Sequence, residues 1–234
     1  MLGSHELSSE PLKLCTFNGN GIFTKVYKDT AGSESHTHRQ TYISKFFIKQ
    51  HISVMGSQGP HVKHLSHLNP FTGFLSSRDI LSVCNISPTG NGGTAILFTN
   101  KFEVKNAWSL SPRIMFVSLL HGEGFLHNFL IAHFHHDSSL WLAQWRLLQV
   151  LNHRIPDDTI LLADHNSVIV PPRDAAIGYV LMEHPKVLEA RAKEVEVLAS
   201  KALVDPYVDT HAGRLNCQEL AGWTWGFPAD PNRQ

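Results

Sequence analysis

Cysteine is scarce in this chain, and Cys15, Cys84 and Cys217 are odd in number, far apart and without CxxC spacing. That pattern argues against a disulfide framework and for free, buried thiols in a reducing compartment. Excess charge of either sign is missing too. Lysine plus arginine and aspartate plus glutamate stand at 20 each, so no bulk field draws the chain to nucleic acid or to a membrane, and any such surface has to be a local patch. The longest apolar run, Ile114–Leu120, is interrupted by Ser118 and is too short to span a bilayer, and Met1–Glu10 shows no signal-peptide pattern. The expectation is an intracellular protein, the nucleus included, without a membrane partner and monomeric by default. No GxGxxG or P-loop follows any strand-like segment, no HExxH is present, and no internal repeat is visible.

What is present is a chain of 234 residues, 42% hydrophobic and 17% charged, with no linker-like stretch. It can bury a substantial core and reads as a single domain over 1–234. The pivotal stretch is Thr159-Ile160-Leu161-Leu162-Ala163-Asp164-His165-Asn166. A buried-type strand there delivers Asp164 and Asn166 two positions apart, on one side of its end. Leu12–Phe17 reads as an earlier strand, ending in the polar turn Asn18-Gly19-Asn20-Gly21.

Residues 28–40 read as a loop, Thr41–Ile48 as a strand ending at Gln50-His51, and 56–70 as surface loop. Phe71–Leu75 and Ile80–Val83 read as short strands, with a turn over Pro88–Gly93. Thr94–Thr99, Arg113–Leu120 and Leu126–Phe134 form a β-meander pattern, the last two joined by the hairpin-length His121-Gly122-Glu123-Gly124. Over 139–152 the apolar period becomes helical through Trp141, Trp145 and Leu148, with Asp137 or Ser138 as cap. A last helix begins near Pro185 and stops before Pro206, with Leu188, Ala192, Val195, Ala199 and Ala202 on one face and Glu189 paired with Lys193.

Sixteen histidines is a high count, and His133, His135 and His136 with Asp137 form the densest cluster. On a strand His133 and His135 share a face, a spacing compatible with a metal, although solvated loop histidines explain the cluster as well.

Leu12–Ile22 with its Asn18-Gly19-Asn20-Gly21 end, Leu161-Leu162-Ala163-Asp164-His165-Asn166, Gly92–Leu97, Leu126–His133 and Trp223-Thr224-Trp225 together resemble the endonuclease/exonuclease/phosphatase superfamily, in order and in spacing. Asp164 and Asn166 fall on its Gly-Asp-Phe-Asn motif. The resemblance implies an α+β fold in which two packed, mainly antiparallel sheets are flanked by helices in a four-layer sandwich. It implies a divalent-metal-dependent phosphodiesterase, most simply a nucleic-acid endonuclease similar to apurinic-type and retrotransposon-type domains, using Mg²⁺ or Mn²⁺. In that scheme Asp164 orients the attacking water, Asn166 and Asn20 bind phosphate, His133 touches the phosphate, and Asn18 holds the metal with His51 beside it.

The departures matter equally. The family's second strand ends in Gln-Glu, the glutamate being its principal metal ligand, and this chain carries Gln50-His51, a change that disfavours magnesium. The family's closing Ile-Asp strand and Asp-His pair are not found before Gln234, so the domain is expected to be incomplete at its C-terminus, its last strand or strands missing. The alternative expectation is therefore a catalytically impaired relic of the fold that keeps a weak nucleic-acid-binding surface.

Overall fold

The computed structural model describes residues 11–19, 22, 26–28, 34–36, 38–64, 66, 68–90, 92–122, 124–164 and 185–200. These fall into two compact units, one comprising Met1–His133 with Asp158–Asp164 and the other Phe134–Asp157 with His165–Gln234. Asn20, Asn166, Cys217 and the Trp223–Trp225 motif lie outside the described residues.

The first unit is built on two four-stranded sheets. One contains β1 (Leu14–Asn18), β4 (Val54–Gln58), β5 (Ile80–Asn85) and β6 (Thr94–Thr99) in the order β1-β4-β6-β5. The other contains β7 (Phe102–Ser111), β8 (Ile114–His121), β9 (Leu126–His133) and β10 (Ile160–Asp164) in the order β10-β9-β8-β7. The pairs β1/β4 and β9/β10 are parallel and the remaining pairs antiparallel. The class is α+β, as expected. A small antiparallel pair, β2 (Val26–Lys28) with β3 (Glu34–His36), lies where a loop was expected.

The two sheets share a core in which Val54, Ile96 and Phe98 meet Met115, Val117, Phe129, Ile131 and Leu162. Alternation along each strand explains this, since every second residue points to the same face. The sheets approach closely at Gly56, where a Cβ would lie 2.7 Å from the Cβ of Leu162, so no larger residue fits without a shift. The other face of the first sheet is covered by α1 (His38–Lys49) and α2 (Asn69–Ser76), with Ile43, Phe47, Phe71 and Leu75 packed on Met55, Ala95 and Leu97.

Several sequence expectations are corrected here. Thr41–Ile48 is helical, because Ile43 and Phe47, four residues apart, are buried together with Gln40 and Ser44 while Tyr42 and Ile48 are exposed. Packing on one stripe outweighs the strand preference of its aromatic and β-branched residues. Phe71–Leu75 is likewise helical, with a proline in the first turn and Phe71 and Leu75 buried one turn apart. The stretch 56–70 is not all loop, since β4 occupies its start. β4 is buried throughout although only Val54 and Met55 are large apolar residues. β7 was not expected, and the three-strand meander is β7-β8-β9, while β6 belongs to the other sheet.

In the second unit, α3 (Ser138–Val150) starts at Asp137, whose carboxylate accepts from the backbone N–H groups of Ser139 and Leu140, and buries Trp141, Trp145 and Leu148. Trp145 stacks on Phe134 with ring centroids 4.2 Å apart. The helix α4 (Pro185–Ser200) buries Ala190, Glu194 and Val197. The face expected from sequence points outward, with Leu188 and Val195 about half exposed at 47% and 48%. A carboxylate in the packed stripe hid the true face from a reading based on apolar spacing. Glu189 pairs with Arg146 at 2.8 Å and Lys193 with Glu196, not with each other. Among the described residues no helix is long and apolar enough to cross a membrane.

Candidate functional site

Four strands of the first unit direct their carboxyl ends to one place. In the parallel pairs, Asn18 lies in register with Gln58 and Asp164 with His133. The two sheets meet there through side-chain amides. Asn18 Nδ2 donates to Asp164 Oδ2 at 3.0 Å. Gln58, 1% exposed, accepts from Thr16 Oγ1 at 3.1 Å and donates Nε2 to the Leu162 carbonyl at 3.1 Å. A buried amide left without such partners would cost about 1–3 kcal/mol, so Gln58 is held firmly and in turn fixes the end of β10 that carries Asp164.

Arg113, in the β7–β8 turn, brings a cation to this region. Its carbonyl accepts from His133 N at 2.9 Å, and its Nη1 donates to the His133 carbonyl at 3.5 Å. The guanidinium rests on Gly92, where a Cβ would lie 2.7 Å from Arg113 Cζ, and φ there is 80°, a backbone conformation that favours glycine. Burial lowers the pKa of Arg113, and the nearby Asp164 carboxylate raises it again. Asn85 ties the same turn to the first sheet, donating to the Ser111 carbonyl at 2.6 Å.

Gly59, directly after β4, stands at the centre. Its φ is 63°, and a Cβ there would meet His133 Cε1 at 3.3 Å, His61 Nε2 at 3.5 Å and Asn18 Oδ1 at 3.6 Å. Any side chain at 59 would therefore enter the space among those groups.

No protein-family model matches the sequence, and no curated protein matches it. Solved structures do resemble the fold. An AP endonuclease from Archaeoglobus fulgidus is 16% identical, with 80% of this chain and 71% of that chain covered and a TM-score of 0.57. The endonuclease domain of TRAS1, a telomere-specific non-LTR retrotransposon, is 11% identical over 80% of this chain and 71% of that chain, with a TM-score of 0.49. A humanized D. rerio TDP2 is 13% identical over 67% of each, with a TM-score of 0.48. The likeness is one of fold, shared with the AP endonuclease.

The strand paired with β1 is β4, which ends at Gln58 and is followed by Gly59. Gln50 and His51 lie instead in the turn after α1. This corrects the reading of Gln50-His51 as that strand end. His51 follows α1 with φ 52°, and it lines a cavity at the amino-terminal end of β4. The structure does not bring His51 to the site.

The described residues at these strand ends do not fit a hard divalent ion. Among the described residues no group of three or more His, Cys, Asp or Glu could hold a metal. The strand ends supply one carboxylate, Asp164, which is already bonded to the Asn18 amide and lies beside a guanidinium. Mg²⁺ and Mn²⁺ favour several oxygen ligands, carboxylates first.

Of the residues singled out from sequence, Asn18, His133 and Asp164 come together. Asn20 and Asn166 are outside the described residues. His133 and His135 do not share a strand face, because β9 ends at His133. Sequence reading missed Gln58, Gly59, His61 and Arg113. The signal for the first two was the Gln58-Gly59-Pro60 step after a run beginning Val54-Met55, and it was obscured by the small, polar Gly56 and Ser57.

Proposed function

We propose that this chain is a nucleic-acid-recognising domain of the phosphodiesterase type whose metal-dependent hydrolysis is impaired. Gly59, at the point where Asn18, His61 and His133 converge beside Asp164, is the observation that carries this reading. A divalent ion offsets charge on the phosphate oxygens when a phosphodiester is hydrolysed, and its chief ligand in the family pattern is the acid replaced here. What the chain keeps is suited to binding. Arg113 supplies positive charge for a phosphodiester, the Asn18 amide supplies a hydrogen-bond donor, and Asp164 remains placed to orient a water. The superfamily fold, shared with an AP endonuclease, supports nucleic acid as the phosphodiester, contacted through a local patch since the net charge is zero.

The active reading has one observation in its favour, the Asn18–Asp164 hydrogen bond at 3.0 Å. It assigns Asp164 to orienting water, His133 and Asn166 to the phosphate, and a bound Mg²⁺ or Mn²⁺ to charge neutralisation. Plasmid nicking in Mg²⁺ or Mn²⁺ separates the two readings. Under the impaired reading the folded chain nicks no faster than its Asp164→Ala variant, while it binds a short labelled duplex in EDTA and loses about tenfold in affinity on Arg113→Ala. Metal-dependent nicking well above the Asp164→Ala background would establish the active reading, and failure to bind any oligonucleotide would remove both.

A further inference from the structure

At the other end of the first unit lies a cavity of about 510 Å³. It sits beside the amino-terminal ends of β1, β4 and β9, roughly 20 Å from Asp164 by the rise along β9, and shares no residue with the strand-end site. The size is within the range of small-molecule pockets. The lining is divided by chemistry. Phe47, Ile52, Ile80 and Phe102 are buried apolar walls, while Ile48 and Phe125 are about half exposed and edge the opening.

The polar lining is strongly one-sided. Arg78 and Lys101 are cationic, and His51, His121 and His127 add three imidazoles. Asp79 is the sole carboxylate among the described lining residues, and its Oδ1 accepts from Asn100 Nδ2 at 3.1 Å. Arg78 is held in place, its guanidinium 3.8 Å from the centroid of the Phe74 ring and its Nη1 donating to the Phe74 carbonyl at 3.1 Å. Phe102 carries the ring of His121 at 5.0 Å and that of His127 at 6.1 Å between centroids, so the imidazoles are presented by the apolar wall itself. The imidazoles do not form a metal site with one another.

Apolar walls under a cationic and imidazole rim complement a ligand that is apolar at one end and anionic at the other. We propose that this cavity binds a small amphipathic anion, an apolar body carrying one carboxylate or phosphate head, with the body against Phe102 and the head toward Lys101 and Arg78. The inference is independent of the phosphodiester site and goes beyond it.

Isothermal titration of the full chain with decanoate and, separately, with adenosine monophosphate tests it and identifies the body as an aliphatic chain or a nucleobase. Saturable one-to-one binding of either ligand is expected, weakened about tenfold by Lys101→Glu, which reverses the local charge, and similarly by Phe125→Asp at the opening. Both substitutions are at exposed positions, and matching melting temperatures verify that the variants fold. Absence of binding by both ligands would overturn the proposal. So would binding that is unchanged in both variants, or that is displaced by a short oligonucleotide and therefore belongs to the strand-end site.

Discussion

The two sheets of the first unit differ in how the chain assembles them. Three of the strands in β10-β9-β8-β7 are consecutive and joined by short turns, Ser111 to Ile114 and His121 to Leu126. In β1-β4-β6-β5, by contrast, β1 and β4 are separated by a hairpin and a helix, and β4 is enclosed, its five residues all buried. Local pairing forms the first kind of sheet with little loop-closure cost, whereas the second relies on contacts distant in sequence. The difference shows where the molecule is vulnerable. β4 holds the sheet-to-sheet contact at Gly56, and its end holds the site through Gln58 and Gly59.

Three perturbations sharpen that contrast. The largest effect is expected from Gly56→Val, which drives a branched side chain into Leu162 and should lower unfolding free energy by about 3 kcal/mol or leave the chain insoluble. Urea denaturation measures it, and an unchanged midpoint would mean the sheets do not meet closely at β4. In the other sheet, Asn128 accepts from Ser118 Oγ at 2.8 Å and donates to Asp158 Oδ1 at 2.9 Å. Asn128→Ala should cost about 1–2 kcal/mol by the same measurement, and a loss exceeding that of Gly56→Val would reverse the comparison.

The smallest effect concerns pH. Burial, then the charge of His121, lowers the pKa of His127, while Asp158 acts in the opposite direction. Between its lowered folded value and the ordinary 6.5 the unfolded chain binds more protons, so the contribution is complete above 6.5 and lost as pH falls through the folded value. Denaturation midpoints should therefore fall from pH 7.5 to pH 5, and less so in His127→Gln. An equal fall in both proteins would remove His127 as a cause.

The same contrast governs what could be read in advance. Ile114–His121 and Leu126–His133 alternate or run apolar between clear turns, and both emerged as strands. Asp137 followed by Trp141, Trp145 and Leu148 announced α3. Thr41–Ile48 did not announce α1, because Ile43 and Phe47 stand among aromatic and β-branched residues that suit either period. Gly56 and Ser57 concealed β4, since a strand squeezed between two layers needs small residues, not large apolar ones. Misplacing that strand put the expected strand end at Gln50-His51, where α1 closes.

By itself, the sequence determined the hairpin-linked strands, the capped helix α3, and two separate strands, one closing in a polar turn at Asn18 and one ending at Asp164. These depend on period, turn residues and order along the chain. Only the tertiary structure decided that Asn18, Asp164, His133 and Arg113 share one place, and that Gly59 occupies its centre. Residues 146 apart are hydrogen-bonded there, and such a contact follows from how two sheets stack, which local pattern does not encode.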